Sequence, residues 1–418
     1  MNLIFTTVWN EARQCMIVVS EFASVVGKSA KSSDKKINRA LFGRNKLVIA
    51  LSAGIANLST SLLFAGGLPE GGSLTYGQGQ VTQSGNEMTI TQSSDKMALD
   101  WNSFNIGQGH KVTFVQPSSS SVAMNRVTGT DVSVIQGSLQ ANGRVFLSNP
   151  NGVLFTKDAQ VNVGSLVATT LHMSNEDLAS GRYRLQGKSD KSVTNQGSIT
   201  ATSADGKGGV ALVAAKNINE GTITADRGTV ALAAAHKVTL DLGGPVKVQI
   251  EEGALNALIE QGGAIRADGG TVIMTARAAS NLMSSAINHT GVIEARSMTA
   301  DANGVIQLSA GTNGSIVVEG TLDVSASTTN AGRIEITGQD ITLKKNSHLI
   351  ASGDLGGGTV LIGGDWQGSG ALQQAKHMVM EQGATIDASA LTKGDGGKVV
   401  LWSDVHDHES LTSVSGEI

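Results

Sequence analysis

The feature that most constrains this chain is a phrase that keeps returning. It reads Gly-x-(Ile/Leu)-x-(Ala/Val), followed by a Gly-containing turn and a second apolar run. It stands at Gly197–Ala201, Gly221–Ala225, Gly263–Ala267, Gly291–Ala295 and Gly320–Val324, with a looser copy at Gly383–Ala388. The glycines are spaced by 24, 42, 28, 29 and 63 residues. The two long spacings read as two and three units of about 21. The second run recurs at Gly208–Ala215, Gly228–Ala235, Thr271–Ala276, Gly357–Gly364 and Gly396–Trp402. Short β-branched runs with turn punctuation read as strands. A period in the twenties with two or three short strands per unit points to an all-β fold, a right-handed parallel β-helix with an N-terminal cap. One coil cannot bury its inward Ile, Val, Leu and Ala alone, but stacked coils can. At about 22 residues per coil the expectation is roughly 12–16 coils and a rod of about 60–75 Å. A propeller would repeat at about 40 residues or more, and a sandwich would not repeat. Only Ser174 to Arg184 has room for a short turn of helix.

Composition agrees with a narrow coil. The chain holds 52 Gly, 4 Pro and 3% aromatic residues in 418. Corners are expected to use Gly, Asn and Asp for positive φ. Beyond residue 65 all four Phe lie before residue 156. With Trp101, the residues Phe104, Phe114, Phe146 and Phe155 are expected to form a bulky cap core that hides the first open edge. The single Cys, Cys15, excludes a disulfide scaffold.

The N-terminal 65 residues read as an address. They are basic, with eight Lys or Arg against three acids, on an otherwise acidic body. A basic n-region at 26–46 precedes an apolar h-region at 47–65, and cleavage is expected after Ala65. Leu63 at the −3 position is larger than such sites usually carry. A membrane anchor is the competing reading of 47–65, against which its Ser, Gly, Asn and Thr count. Residues 1–25 carry Met1-Asn2, Phe5, Val8-Trp9-Asn10 and Val18-Val19-Ser20-Glu21. This extension resembles the extended signal peptide region of large Gram-negative exported proteins, which implies inner-membrane export by the Sec machinery and cutting by signal peptidase.

Residues 68–175 carry a denser pattern. Trp101-Asn-x-Phe104-Asn-Ile106-Gly107 is followed by Asn125-Arg126-Val127 with Gly129. Then come Ile135-x-Gly137-x-Leu139-x-Ala141-Asn142-Gly143, Asn149-Pro150-Asn151-Gly152 with Phe155, and Gly164-x-Leu166-Val167-Ala168-x-Thr170. The segment resembles the secretion domain of two-partner secretion exoproteins, the N-terminal region of filamentous haemagglutinin-like adhesins. The resemblance implies an outer-membrane β-barrel partner transporter that recognises the chain, with Asn125, Arg126, Asn149, Pro150, Asn151 and Gly152 as recognition candidates. Asn-Pro-Asn-Gly also has a plain reading as a tight turn between two strands, with Pro setting φ and Asn-Gly accepting positive φ.

Other motifs are weaker. Gly181 to Ser189 has a phosphate-loop outline, but one residue too many and Tyr, Leu and Arg in the turn. Asp404-Val-His406-Asp407-His408-Glu409 places its histidines on one face of a strand, if it is a strand, and otherwise reads as a solvated loop. Lys393-Gly394-Asp395 and Leu322-Asp323-Val324 match integrin-type tripeptides. No nucleophile elbow and no basic stripe with stacked aromatics occur. The expectation is no catalysis, no cofactor, no metal and no nucleic acid.

The sequence therefore divides into a leader (1–65), a secretion domain with its cap (66–190) and repeat coils (191–418). The expected role is a secreted, surface-associated adhesin with an unidentified receptor. The alternative is the N-terminal part of a toxin-delivery exoprotein for contact-dependent inhibition or haemolysis. Ser415-Gly416-Glu417-Ile418 reads as the start of another strand, which suggests a longer rod.

Overall fold

The computed structural model describes residues 5–10, 15–20, 67–203, 208–242, 246–280, 284–299 and 303–418. They fall into two units, 1–61 and 62–418. In the first, Phe5–Asn10 and Cys15–Ser20 pair antiparallel. The basic segment 26–46, the apolar segment 47–65 and the expected cleavage point after Ala65 lie outside the described residues.

The second unit is a parallel β-helix built from three sheets. The first sheet runs from Gly79–Ser84 to Thr385–Asp387, and the second from Ser73–Tyr76 to Lys398–Leu401, each with 12 strands. The third has 10 strands, from Ser133–Ile135 to Leu411–Val414. Each turn of the chain gives one short strand to each sheet. The two opening strands pair antiparallel with Glu87–Gln92 and Lys96–Trp101, and the stacking beyond them is parallel. That leaves 11 stacked rungs in each large sheet, fewer than the sequence suggests.

The shortfall has a physical cause. Ile223 pairs directly with Ile265, so the 42-residue spacing is one coil. Its extra residues leave the coil as the hairpin Lys237–Asp241/Lys247–Glu252. The 63-residue spacing is two coils. Leu322 pairs with Leu349 and Leu349 with Ile386, and the intervening rung carries Ser347 where its neighbour has Gly320. Ala384, not Gly383, stands in that column at the next rung.

Turn glycines such as Gly152, Gly269 and Gly383 take the expected positive φ, but the glycines that open the repeat phrase are required for a different reason. Gly221, Gly263, Gly291 and Gly320 do not have positive φ. A Cβ on each would lie 2.0–2.2 Å from the carbonyl oxygen of the glycine one coil below. The column exists because backbone stacks on backbone with no room for a side chain.

Inward residues form continuous aliphatic columns. One runs through Ile199, Ile223, Ile265, Ile293, Leu322, Leu349 and Ile386, all buried. Each such side chain contributes about 1.5–3 kcal/mol by leaving water. The third sheet interrupts the apolar lumen with a buried polar ladder. Asn195 Nδ2 donates to Asn219 Oδ1 at 2.8 Å, and Asn219 Nδ2 donates to Gln261 Oε1 at 2.7 Å. His289 occupies the next rung, with Nε2 donating to the Thr321 carbonyl at 3.1 Å.

A second apolar cluster lies outside the coil. Helix α1 (Asn175–Ser180), capped by Ser174 and ended by the left-handed Gly181, starts an apron over the second sheet. Strand Tyr183–Gln186 continues it, paired to the hairpin in a three-stranded antiparallel sheet. Leu178, Leu185, Val238 and Leu240 cover Met124, Val167, Ala211 and Ala231. Strands Val122–Val127, Gly209–Ala214 and Thr229–Ala234 are consequently buried at every residue. This is why Gly209–Ala214 and Thr229–Ala234 read as nearly unbroken apolar runs, whereas Val122–Val127 carries Asn125 and Arg126. Phe146 belongs here as well: it faces outward against Tyr183, ring centroids 5.5 Å apart, and is not in the lumen with the other aromatics.

Burial pushes the His289 imidazole down to about 4, so the folded rod holds it neutral. The unfolded chain binds a proton near pH 6.5 and the folded one only near 4. Stability is full above pH 6.5 and falls by ~3 kcal/mol as the pH drops through that window. Denaturant melts of His289→Gln should lose most of this pH dependence between 6.5 and 4; an unchanged slope contradicts the assignment.

Candidate partner-recognition site

The recognition candidates converge on the first rungs. Strand Val122–Val127 alternates its faces. Ala123, Asn125 and Val127 point inward, and Val122, Met124 and Arg126 point outward. Asn125 is therefore an amide in an apolar lumen, and its needs are met locally. Its Oδ1 accepts from Trp101 Nε1 at 3.0 Å, and its Nδ2 donates to the Ala123 and Phe146 carbonyls at 3.2 Å. Trp101 in turn meets Phe104 edge to face at 5.6 Å. Trp101, Phe104, Phe114 and Phe155 all lie in the lumen at this end.

Arg126 is buried beneath the start of the apron. Asp100 stands directly opposite on the neighbouring strand, and its Oδ1 accepts from Arg126 Nε at 2.7 Å. Nη1 donates to Asn175 Oδ1 at 2.8 Å and to the Met173 carbonyl at 3.3 Å. Nη2 donates to Thr75 Oγ1 at 2.7 Å. One guanidinium thus joins the opening strand Ser73–Tyr76, two rungs of the second sheet and the entry to α1. Its planar fork suits several acceptors at fixed angles, which Lys could not serve. Lys96 closes the other end of α1, donating to the Ala179 carbonyl at 2.9 Å. Partial burial and the Arg126 charge hold the nearby His172 below its ordinary value.

Asn149–Gly152 forms the expected turn, closed by Gly152 N–H donating to the Asn149 carbonyl at 3.0 Å. Positive φ falls on Gly152 alone, at 112°, and not on Asn151. Asn149 is fully buried, and all its side-chain hydrogen-bonding capacity is used. Nδ2 donates to the Asp131 carbonyl at 2.9 Å and to Ser133 Oγ at 3.0 Å. Oδ1 accepts from Asn151 N at 2.9 Å and Asn151 Nδ2 at 3.0 Å. Asn151 Nδ2 also reaches the Gly129 carbonyl at 2.9 Å. Pro150 is exposed, and its carbonyl accepts from Ser189 Oγ at 2.6 Å. The structure brings Asn125 and Arg126 together on one strand. The turn forms a separate lock onto the 129–133 loop of the coil below. Thr75, Asp100 and Asn175 escaped sequence reading; the signal was an Arg inside an otherwise apolar strand, which requires partners.

The other motifs resolve simply. Gly181 caps α1 and Tyr183–Gln186 is a strand, so no helix follows the phosphate-loop outline. Asp404–Glu409 is a pair of turns rather than a strand, with Asp404 and Asp407 accepting backbone N–H groups at 2.9 Å. Leu322 and Val324 are fully buried, whereas Lys393-Gly394-Asp395 is exposed. Among the described residues no three His, Cys, Asp or Glu are grouped to hold a metal ion.

The fold is that of a parallel β-helix whose first rungs are locked by Arg126 and by the Asn149 turn. Residues 65–324 match the TPS secretion domain, and residues 1–50 match the Extended Signal Peptide of Type V secretion system. The chain belongs to the two-partner secretion family, and it is a Gram-negative exoprotein secreted to the cell exterior. A family member of this kind has an outer-membrane transporter as its partner. The chain is 34% identical over 281 residues to the heme/hemopexin-binding protein of Haemophilus influenzae strain Rd, covering 65% of this chain and 31% of that protein. A second heme/hemopexin-binding protein of Haemophilus influenzae is 32% identical over 244 residues, covering 54% of this chain and 26% of that protein. The chain thus spans about a third or less of the length of these curated relatives. The crystal structure of the HMW1 secretion domain from Haemophilus influenzae is 27% identical with a TM-score of 0.65, covering 84% of this chain and 99% of that one.

Arg126→Ala should lower the unfolding free energy by about 2–3 kcal/mol. Asp100, with 30% of its side chain exposed, keeps the cost below that of a fully buried pair. Amide exchange should rise first in Ser73–Tyr76 and α1; unaltered protection there would contradict the clamp.

Proposed function

We propose that this exoprotein is a surface-displayed adhesin of the filamentous haemagglutinin type. In this reading the leader directs Sec export and is cut after Ala65. Residues 66–190 then present the chain to its outer-membrane β-barrel partner. Residues 191–418 form rod that carries binding surfaces away from the cell. The observation that carries the targeting role is the match of residues 65–324 to the TPS secretion domain, and burial bears on when its residues can be read. Asn125, Arg126 and Asn149 are 0%, 8% and 0% exposed and bonded on all sides. A partner cannot touch them once the coil exists, so their recognition precedes folding, while the chain is still extended at the pore. Stacking then proceeds coil by coil outside, each rung templating the next.

Deleting residues 66–170 should abolish appearance in the medium while export to the periplasm continues. Secretion that survives the deletion would remove this role.

The two relatives at 34% and 32% identity favour a second reading, capture of haem or of haem-loaded hemopexin. Purified exoprotein titrated with hemin and passed over immobilised hemopexin separates the readings. Hemopexin retention without cell attachment favours capture, and cell attachment without hemopexin retention favours adhesion.

A further inference from the structure

Beyond Tyr183 the chain uses no Phe or Tyr and only two Trp, Trp366 and Trp402. Neither belongs to the lumen. They stand on consecutive long corners between the second and third sheets, residues 363–376 and 402–410. An equivalent corner elsewhere is a single residue, Ala215.

The two corners interlock. Trp402 Nε1 donates to Gln374 Oε1 at 3.0 Å, and Asp404 N–H donates to the Ala375 carbonyl at 2.8 Å. A Cβ on Gly363, whose φ is +73°, would sit 2.2 Å from the Trp402 carbonyl oxygen. Trp402 is therefore used in holding the loop. Trp366 is not: its residue is 58% exposed, and its indole N–H makes no hydrogen bond among the described residues.

The turn beneath Trp366 is tightly determined. Asp365 Oδ1 accepts from Trp366 N at 2.6 Å and from Lys398 Nζ at 2.7 Å. Gly368 N–H donates to the Asp365 carbonyl, and Ser369 N–H to the Trp366 carbonyl, both at 3.0 Å. Gln367 is held at φ 56°, ψ 30°, a left-handed conformation that only one other non-glycine among the described residues adopts. Such an arrangement persists where the surroundings over-determine it, and it gathers at binding sites. The result is a large aromatic side chain carried into solvent on a turn whose backbone is hydrogen-bonded in place.

The rim selects the ligand. Gln367 is an exposed amide, the exposed Ser369 hydroxyl donates to the Trp366 carbonyl at 2.6 Å and keeps its oxygen as an acceptor, and beside them Asp365 is paired with Lys398. Rigid Trp beside Gly, Ser and amide side chains is the composition of adaptable polar recognition. A flat apolar face rimmed by neutral hydrogen-bonding groups fits a ring that has a C–H face and peripheral hydroxyls. We propose that Trp366 is a stacking platform for a neutral pyranose saccharide, with Gln367 and Ser369 reaching its hydroxyls. The site lies outside residues 65–324 and is separate from the secretion domain. It deepens the adhesive reading and rests on it for the source of the sugar, a cell-surface glycan.

The full secreted chain is applied to an array of neutral hexose- and N-acetylhexosamine-terminated, sialylated and sulfated oligosaccharides. Neutral glycans should be retained, and the matching free sugar should change the tryptophan emission. Trp366→Ala should weaken retention by about tenfold or more, and Trp366→Phe by less, with secretion and thermal unfolding unchanged in both. Retention of charged glycans alone, no retention, or retention unaltered in Trp366→Ala overturns the site. Cell attachment that persists in Trp366→Ala overturns it too, while leaving the adhesive reading intact.

Discussion

The rod depends on parallel stacking of coils that are too thin to stand alone. A single turn of this chain has one inward aliphatic side chain or two per strand and no partner for its backbone edges. The next turn supplies both. The glycine column at Gly221, Gly263, Gly291 and Gly320 shows how tightly the demand is set, because even a methyl group there would collide with the backbone below. The scarcity of aromatic residues follows. A lumen filled by Ile, Leu, Val and Ala in register has little space for rings, except at the first rungs, where Trp101 and Phe104 close the opening.

An open stack needs a base, and here the base is polar as well as apolar. The opening strands reverse direction, which ends the parallel ladder. Arg126 then ties the second sheet to Ser73–Tyr76 and α1, and Asn149 ties one coil to the loop of the coil beneath. These groups lie in nearly dry surroundings, so each is costly unless fully bonded. Their bonding is complete only when several distant segments are already in place. Three of the six residues that the family resemblance singles out, Asn125, Arg126 and Asn149, are thus buried and hydrogen-bonded within the folded state, whereas Pro150 is exposed.

Much of this was legible in the residues. The repeat Gly-x-Ile-x-Ala marks the rungs, and the Asn-Pro-Asn-Gly turn forms where its chemistry indicates. Coil number was not legible, because an excursion lengthens a coil without altering its phrase. The run GVALVA at Gly209–Ala214 and the alternating TVIMTA at Thr271–Ala276 held the missing signal. The first is buried on both faces and the second on one, so unbroken apolarity marks where the apron lies. Phe146 was misplaced for the same reason: alternation within Arg144–Ser148 fixes its face, but only the apron explains why the outer face is dry. The partners of Arg126 were out of reach, since they are brought in from 26 to 51 residues away.

The central claim is that the partner reads the unfolded chain and that the folded coil hides what is read. The direct measurement is binding of the periplasmic part of the partner transporter to this chain, held unfolded in mild denaturant and again after folding. Binding to the unfolded chain that disappears at the rate the coil forms is the expected result. Equal binding to the folded rod would contradict the account.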